Sequence, residues 1–218
     1  MTFQPAPHAP RPTLVVMSRW PAFGRCKRRL ASSIGSAAAA AVQARLREHT
    51  LTVATTMAHE GLLDLQLAMS GAGLATQNRR AKHMVTLQGG GHLGLRMRRQ
   101  LLHASRGRSL AGHRQAPLMI IGTDLPCLSR RDLARAIDLL THQPLVLGPA
   151  TDGGYWFLGL GSTLAAQCPA WLFTGMPWGS SQVLAITCER AAAHGIEPAF
   201  LEWRNDIDRL EDLSEWLG

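Results

Sequence analysis

At 218 residues and 23.7 kDa, with 46% hydrophobic and 17% charged residues, the chain has the size and composition of one folded globular domain, which excludes a disordered protein. No apolar run approaches the ~20 residues of a membrane span, and the proline-rich opening MTFQPAPHAPRP lacks the apolar core of an export signal, so a cytoplasmic protein with a loose tail over residues 1–12 is expected. The net charge of +8 is split, residues 1–114 holding 17 Lys+Arg against 3 Asp+Glu and residues 115–218 holding 6 against 12, so one half suits a phosphate-bearing partner and the other a cation.

In chain order, Thr13 to Met17 is a short, partly β-branched apolar run and reads as a buried first strand. A loop with Pro21 and Gly24 follows, then a long alanine-rich helix from Ser36 towards His59. Leu63 to Met69 alternates as a strand, and Gly71 to Lys82 is a polar, glycine-punctuated loop. Met84 to Leu87 is a further short strand, ending at the turn Gly89-Gly90-Gly91. The spacing of Leu93, Met97 and Leu101 predicts a helix over Leu93 to His103, and Ser105 to Pro117, basic and without apolar period, predicts a loop. Leu118 to Ile121 is the clearest buried strand. Ser129 with Asp132 three residues on is a capping box that opens a helix of about a dozen residues. Leu145 to Leu147 and Tyr155 to Leu158 are strands around the turn at Asp152-Gly153-Gly154. A helix over Ser180 to His194, a last strand at Pro198 to Leu201 and a closing helix from Arg209 to Leu217 complete the pattern. Strands alternating with helices predict a single three-layer α/β domain over residues 13–218 with a mainly parallel central sheet.

Ligands of such sheets sit beyond the carboxyl ends of the strands, and three notable segments fall there. After the first strand, Pro21 to Leu30 carries four cations, Arg25, Lys27, Arg28 and Arg29, beyond a glycine turn at Gly24. Arginine forks and backbone N–H groups of such a loop can wrap a diphosphate, although a solvated basic turn has the same composition. The GxxxxGK[ST] spacing of a P-loop is absent. Asp124, in Gly122-Thr123-Asp124-Leu125-Pro126, follows the most apolar strand, where a carboxylate either caps a loop or holds a hard cation. Asparagine would replace it in the first role without loss of stability, and not in the second. Asp152, Gly153, Gly154 and Tyr155 form either a plain hairpin turn or a place where substrate hydroxyls lie against backbone and the Asp152 carboxylate.

Two more sites are weaker. Asp206 and Asp208 alternate in an extended segment, so at most one readily faces a given site, and Asp208 matches a capping box with Glu211. Gln88 and Gly89 precede a helix N-terminus, a ready anion site. Trp171 and Trp178 read as packing residues, with a sugar-stacking role for Trp178 left open, and the histidines follow no metal spacing. The four cysteines, Cys26, Cys127, Cys168 and Cys188, form no CxxC pair and are expected as free thiols. With 6% aromatics and no recognition-helix, zinc-finger or RNP pattern, the sequence argues against nucleic acid despite its pI near 10.6.

Taken together, six ordered motifs from Leu14 to Leu213 resemble the nucleotide-diphospho-sugar transferase (GT-A) superfamily. The similarity is to a bacterial glycosyltransferase family of arsenosugar-biosynthesis type, formerly a domain of unknown function. The motifs are Pro-x-x-Gly-x-x-Lys-x-Arg-Leu at Pro21 to Leu30, the glycine-rich stretch Gln88 to Met97, Ile-Gly-x-Asp-x-Pro at Ile121 to Pro126, Leu-Gly-Pro-Ala-x-Asp-Gly-Gly-Tyr at Leu147 to Tyr155, Phe-x-x-x-x-Trp at Phe173 to Trp178, and Asp-Ile-Asp-x-x-Glu-Asp-Leu at Asp206 to Leu213. The resemblance implies a Rossmann-like sheet that binds a nucleotide diphosphate near the first loop, with Asp124 a metal-binding aspartate, Asp206 or Asp208 the second carboxylate, and Lys27 and Arg29 serving the phosphates. Arg28 stands where the family usually has threonine. The implied activity is glycosyl transfer from a nucleotide-sugar to a small-molecule acceptor, with Mg²⁺ or Mn²⁺, Lys27 on the leaving diphosphate and Asp152 at the acceptor hydroxyl. Nucleotidyl transfer from a nucleoside triphosphate, with pyrophosphate released, is the alternative within the same fold. A non-catalytic binder of phosphorylated ligands or RNA is the alternative of another class.

Overall fold

The structure is a computed structural model that describes residues 10–21, 24, 26–71, 84–110, 116–207 and 210–217. Its seven strands are β1 (Thr13–Arg19), β2 (Asp64–Ser70), β3 (Met84–Leu87), β4 (Leu118–Ile121), β5 (Leu145–Pro149), β6 (Tyr155–Leu160) and β7 (Ala199–Phe200). They form one sheet in the order β3-β2-β1-β4-β6-β5-β7. All neighbours are parallel except β6, which is antiparallel to both β4 and β5. The cause is local. The turn from Ala150 to Gly154 is too short for a crossover, so β5 and β6 can only pair as a hairpin.

The helices are α1 (Arg28–Ile34), α2 (Ser36–His59), α3 (Leu93–Leu110), α4 (Arg130–Leu140), α5 (Ser162–Gln167), α6 (Val183–Ala193) and α7 (Leu210–Leu217), with a 3₁₀ turn at Ala170–Leu172. Alternation along the strands sends side chains to two cores. Leu14 and Val16 of β1 and Met119 and Ile121 of β4 face a core closed by α2 and α4. Val15, Leu118 and Ile120 face a second one closed by α3, α5 and α6. Each fully buried aliphatic side chain contributes about 1.5–3 kcal/mol, so a strand buried on both faces is the most stabilising segment the chain has. A smaller cluster, Leu30, Ala39, Leu46, Ile207 and Leu213, joins α1 and α2 to the segment after β7.

α2 is helical because Ala39, Gln43, Leu46, Thr50, Ala54 and Met57 recur every three or four residues on its buried face. α4 starts as read from the sequence: the Ser129 hydroxyl accepts from Asp132 N–H and the Asp132 carboxylate accepts from Ser129 N–H. Three elements depart from the sequence reading. α1 begins inside the expected basic loop, because Leu30 finds an apolar seat in the third cluster. α3 runs to Leu110 through residues that lack apolar period, since an established helix extends at the cost of one residue per hydrogen bond. α5 fills the stretch after β6, which the sequence reading left without an element.

Candidate active site

The parallel register aligns the ends of β1, β2 and β3, with Arg19 opposite Ser70 and Met69 opposite Leu87, while Val16 pairs with Ile121 of β4. Above these ends lies a cleft of about 440 Å³. Among the expected residues, Lys27, Gln88, Asp124, Asp152, Gly154, Tyr155, Trp178 and Asp206 line it. Gly24, Arg29, Gly89 and Gly153 do not, and Asp208 lies outside the described residues.

Lys27 precedes α1 in a left-handed backbone conformation, φ 46°, that a non-glycine residue adopts only when neighbours over-determine it. Its side chain provides the reason. The ammonium, with the side chain only 4% exposed, pairs with Asp124 Oδ1 at 2.5 Å and donates to the Ile207 carbonyl oxygen. Ile207 N–H in turn donates to the Asp124 carbonyl at 3.0 Å. One lysine thus ties together the loop after β1, the end of β4 and the segment after β7. Arg29 sits on the exposed side of α1, so of the two cations implied for the phosphates only Lys27 is in the cleft. The reason is that α1 begins at Arg28 and turns the following side chain away.

Asp206 is brought in by backbone pairing. Ala150 and Arg204 form a parallel bridge, Arg204 N–H donates to Pro149 O at 3.1 Å, and Thr151 bonds Asn205. The Arg204 guanidinium anchors the segment on Asp132 Oδ1 at 2.8 Å and Glu202 at 2.9 Å. Burial, followed by the charges of Asp152 and Asp124, pushes the Asp206 carboxyl up to about 6. Three carboxylates on one wall, two of them opposing the ionisation of Asp206, favour a cation. Among the described residues no three Asp, Glu, His or Cys side chains close into a cage. Asp124 and Asp206 are oxygen donors of the kind a hard cation such as Mg²⁺ takes, and they would hold it with phosphate oxygens and water completing its shell.

The turn after β5 has divided roles. Asp152 Oδ1 accepts from Gly154 N–H at 2.8 Å and leaves the exposed carboxylate in the cleft. Gly153, at φ +85°, packs outward on the start of α6: a Cβ there would lie 2.7 Å from Ser181 Cα, and Leu184 N–H donates to its carbonyl. Trp178 stands edge-on to Tyr155 with ring centroids 6.3 Å apart, and its indole N–H donates to Phe173 O at 3.3 Å. The two rings form an aromatic wall. The Tyr155 hydroxyl sits beside Thr187 without a well-formed hydrogen bond, and burial pushes its pKa up. Trp171 stacks on His194 at 4.5 Å outside the cleft, a packing residue as read from the sequence.

Sequence reasoning missed the opposite wall. Arg19, Ser70 and Arg96 line it; also missed was Gln43 of α2, whose amide donates to the Thr123 hydroxyl at 3.2 Å on the Asp124 side. Arg96 is the arginine of the Gln88 to Met97 motif, a signal to which the sequence reading attached no role. Gln88 is not available to a ligand through its side chain: its amide donates to Ser18 O at 3.0 Å and Ala68 O at 2.9 Å and accepts from Arg96 Nη1 at 3.0 Å.

A mainly parallel sheet with one reversed strand, a cleft over its carboxyl edge and a mixed wall of carboxylates and cations define a domain of the nucleotide-diphospho-sugar transferase class. The chain belongs to the family described as uncharacterized protein conserved in bacteria (DUF2064), whose sequence profile matches residues 25–180. A candidate nucleotide-diphospho-sugar transferase from Desulfovibrio desulfuricans G20 is similar over 93% of this chain and 84% of its own, with 25% identity and a TM-score of 0.75. Rv0371c from Mycobacterium tuberculosis H37Rv, crystallised as a manganese complex, shares the fold at 16% identity and TM-score 0.51 over 95% of this chain and 98% of its own. The 2-C-methyl-D-erythritol 4-phosphate cytidylyltransferase of Thermus thermophilus shares it at 14% identity and TM-score 0.55, over 94% and 97% of the two chains. No curated protein matches the chain. No helix among the described residues is long and apolar enough to cross a membrane.

Proposed function

We propose that this protein transfers a sugar from a nucleotide-sugar to a hydroxyl of a small-molecule acceptor. The observation that carries this reading is the junction of Lys27, Asp124, Asp152 and Asp206 at the strand ends, one buried cation among three carboxylates. Lys27 stabilises negative charge as it gathers on the leaving diphosphate. Asp152 accepts the acceptor's proton while the acceptor oxygen bonds the anomeric carbon; the bond from that carbon to the phosphate oxygen breaks, and its electron pair leaves with the nucleoside diphosphate. Trp178 and Tyr155 offer an apolar wall against which a sugar face can lie. A divalent cation, Mg²⁺ or Mn²⁺, would be held by Asp124 and Asp206 and would offset diphosphate charge. The manganese complex of Rv0371c and the name of the Desulfovibrio protein support this reading.

Nucleotidyl transfer is the second reading, favoured by one observation: cations line the cleft at both ends, Lys27 at one and Arg19 and Arg96 at the other, more than a diphosphate needs. Incubation with a panel of nucleotide-sugars and nucleoside triphosphates, with Mg²⁺ or Mn²⁺ and a panel of acceptors, separates them by product. Free nucleoside diphosphate is expected. Pyrophosphate would replace the first reading with the second. No metal-dependent turnover, with salt-sensitive RNA affinity in its place, would mark a binder and overturn both.

A further inference from the structure

Of the arginines on α3, four have described side chains, and their guanidinium groups have separate uses. Arg98 donates to Cys168 O, and Arg99 to Gln88 O and Gly90 O, so both close helix and loop ends. Arg106 lies further along the helix, beyond the cleft lining. Arg96 alone of the four faces the cleft. Its Nη1 is gripped by Gln88 Oε1, and Gln88, itself 4% exposed, is pinned by carbonyls of β1 and β2, so the guanidinium is held by a neutral amide clamped to the sheet. Its Nε is buried with no hydrogen-bond partner. Burial and the positive charge of Arg19 lower the Arg96 pKa. Arg204 shows what a structural arginine in this protein looks like: it too has a buried Nε without a partner, but two carboxylates meet it and its pKa is raised. No carboxylate meets Arg96 among the described residues. A half-buried guanidinium held at a cleft without a counter-ion is a costly arrangement that an oxyanion relieves.

We propose that Arg96, clamped by Gln88 and flanked by Arg19, forms an anion subsite at the β1–β3 end of the cleft that takes a phosphate group of a substrate. The inference rests on reading the cleft as a nucleotide site, and it is separate from the Lys27–Asp124 junction, where a carboxylate stands beside the cation. The phosphate comes either from the nucleotide's chain or from the second substrate.

Calorimetric titration of pyrophosphate into the metal-free protein, in EDTA, tests the subsite without turnover. Wild type is expected to bind, Arg96→Gln to bind about tenfold or more weakly, and Arg135→Gln, altered at an exposed ion pair on α4 outside the cleft, to bind as wild type. Equal affinity in wild type and Arg96→Gln, or no binding by wild type, overturns the proposal. Should Arg96→Gln fail to fold by circular dichroism, Arg96→Lys keeps the charge and loses the fork, and an intermediate affinity is expected; an unchanged one overturns it. Competition then identifies the source. Displacement of pyrophosphate by ADP, CDP, GDP or UDP assigns the subsite to the nucleotide; displacement by glucose 1-phosphate but by none of the four assigns it to the second substrate. Displacement by neither overturns a substrate role. Arg96-dependent binding in a protein without transferase activity would sink the proposed function and leave the subsite standing, whereas turnover with Arg96-independent binding would do the reverse.

Discussion

The Asp124 carboxylate pairs with a buried lysine, and that neighbour decides what a substitution costs. Sequence reasoning expects Asp124→Asn to keep near-wild-type stability without metal, because both residues are good caps. The structure changes that expectation: the partner is a lysine with a side chain 4% exposed, which the amide would leave with only the Ile207 carbonyl. Because Asp124 itself is 47% exposed, water offsets part of the loss, and a destabilisation of about 1–2 kcal/mol is expected in chemical denaturation. Thermal shifts should show that Mg²⁺-dependent stabilisation by nucleotide is abolished. Wild-type nucleotide response in Asp124→Asn would remove the residue from the metal site. Lys27→Ala, under the proposed function, should slow turnover by about 30- to 1,000-fold, the equivalent of ~2–4 kcal/mol at a developing charge. Arg29→Ala, altered outside the cleft, should change kcat/KM far less; equal losses in the two variants would restore Arg29 to the phosphate site.

The elements that carry the site are braced by contacts away from it. The turn at Asp152 is docked on α6 by Gly153, so Gly153→Ala places a methyl against the Ser181 backbone at a left-handed φ of +85°. A loss of ~2–4 kcal/mol of stability is expected, together with displacement of Asp152, read as a raised acceptor KM. Wild-type stability in that variant would show that the turn shifts freely. The segment bearing Asp206 depends on Arg204, whose guanidinium bonds the Asp132 carboxylate that also caps α4. Arg204→Met should therefore weaken Mn²⁺ binding, measured by paramagnetic resonance, although Arg204 is not in the cleft lining. Metal affinity equal to wild type would show that backbone pairing alone holds Asp206.

For the molecule as a whole, the raised Asp206 carboxyl makes stability depend on pH. Its folded value of about 6 lies above the ordinary value of 3.8, so between these values the folded state binds more protons than the unfolded one. The metal-free protein gains from this proton below about pH 4 and loses the gain as pH rises through about 6. Discounted for solvent screening of a partly exposed group, the loss is on the order of 1–2 kcal/mol. Denaturant midpoints of wild type and Asp206→Asn should therefore diverge between about pH 4 and 7, with the variant the more stable at the upper end. Parallel curves would mean that neither burial nor the neighbouring carboxylates raise the Asp206 carboxyl. Saturating Mg²⁺ should reduce the divergence, because a bound cation offsets the charge that the proton offset.

Much of this was legible in residues alone. The runs Leu14 to Val16 and Leu118 to Ile121 announce strands buried on both faces, the Ser129–Asp132 pair marks a helix start, and glycine-bounded polar segments at strand ends mark a ligand cleft, because burial and backbone hydrogen bonding act locally. The fold class and Asp124, Asp152 and Lys27 as cleft residues were within reach for that reason. Tertiary structure decided what depends on distant segments meeting: the order of strands, the reversal of β6 between β4 and β5, and the pairing of residues 149–151 with 204–205 that sets Asp206 beside Asp152 and Asp124. It also turned Arg29 to the outside, spent the Gln88 amide on two backbone carbonyls and directed Arg96 into the cleft. Local propensity carries no information on such matters, because the energy of a side chain's orientation comes from partners far away along the chain.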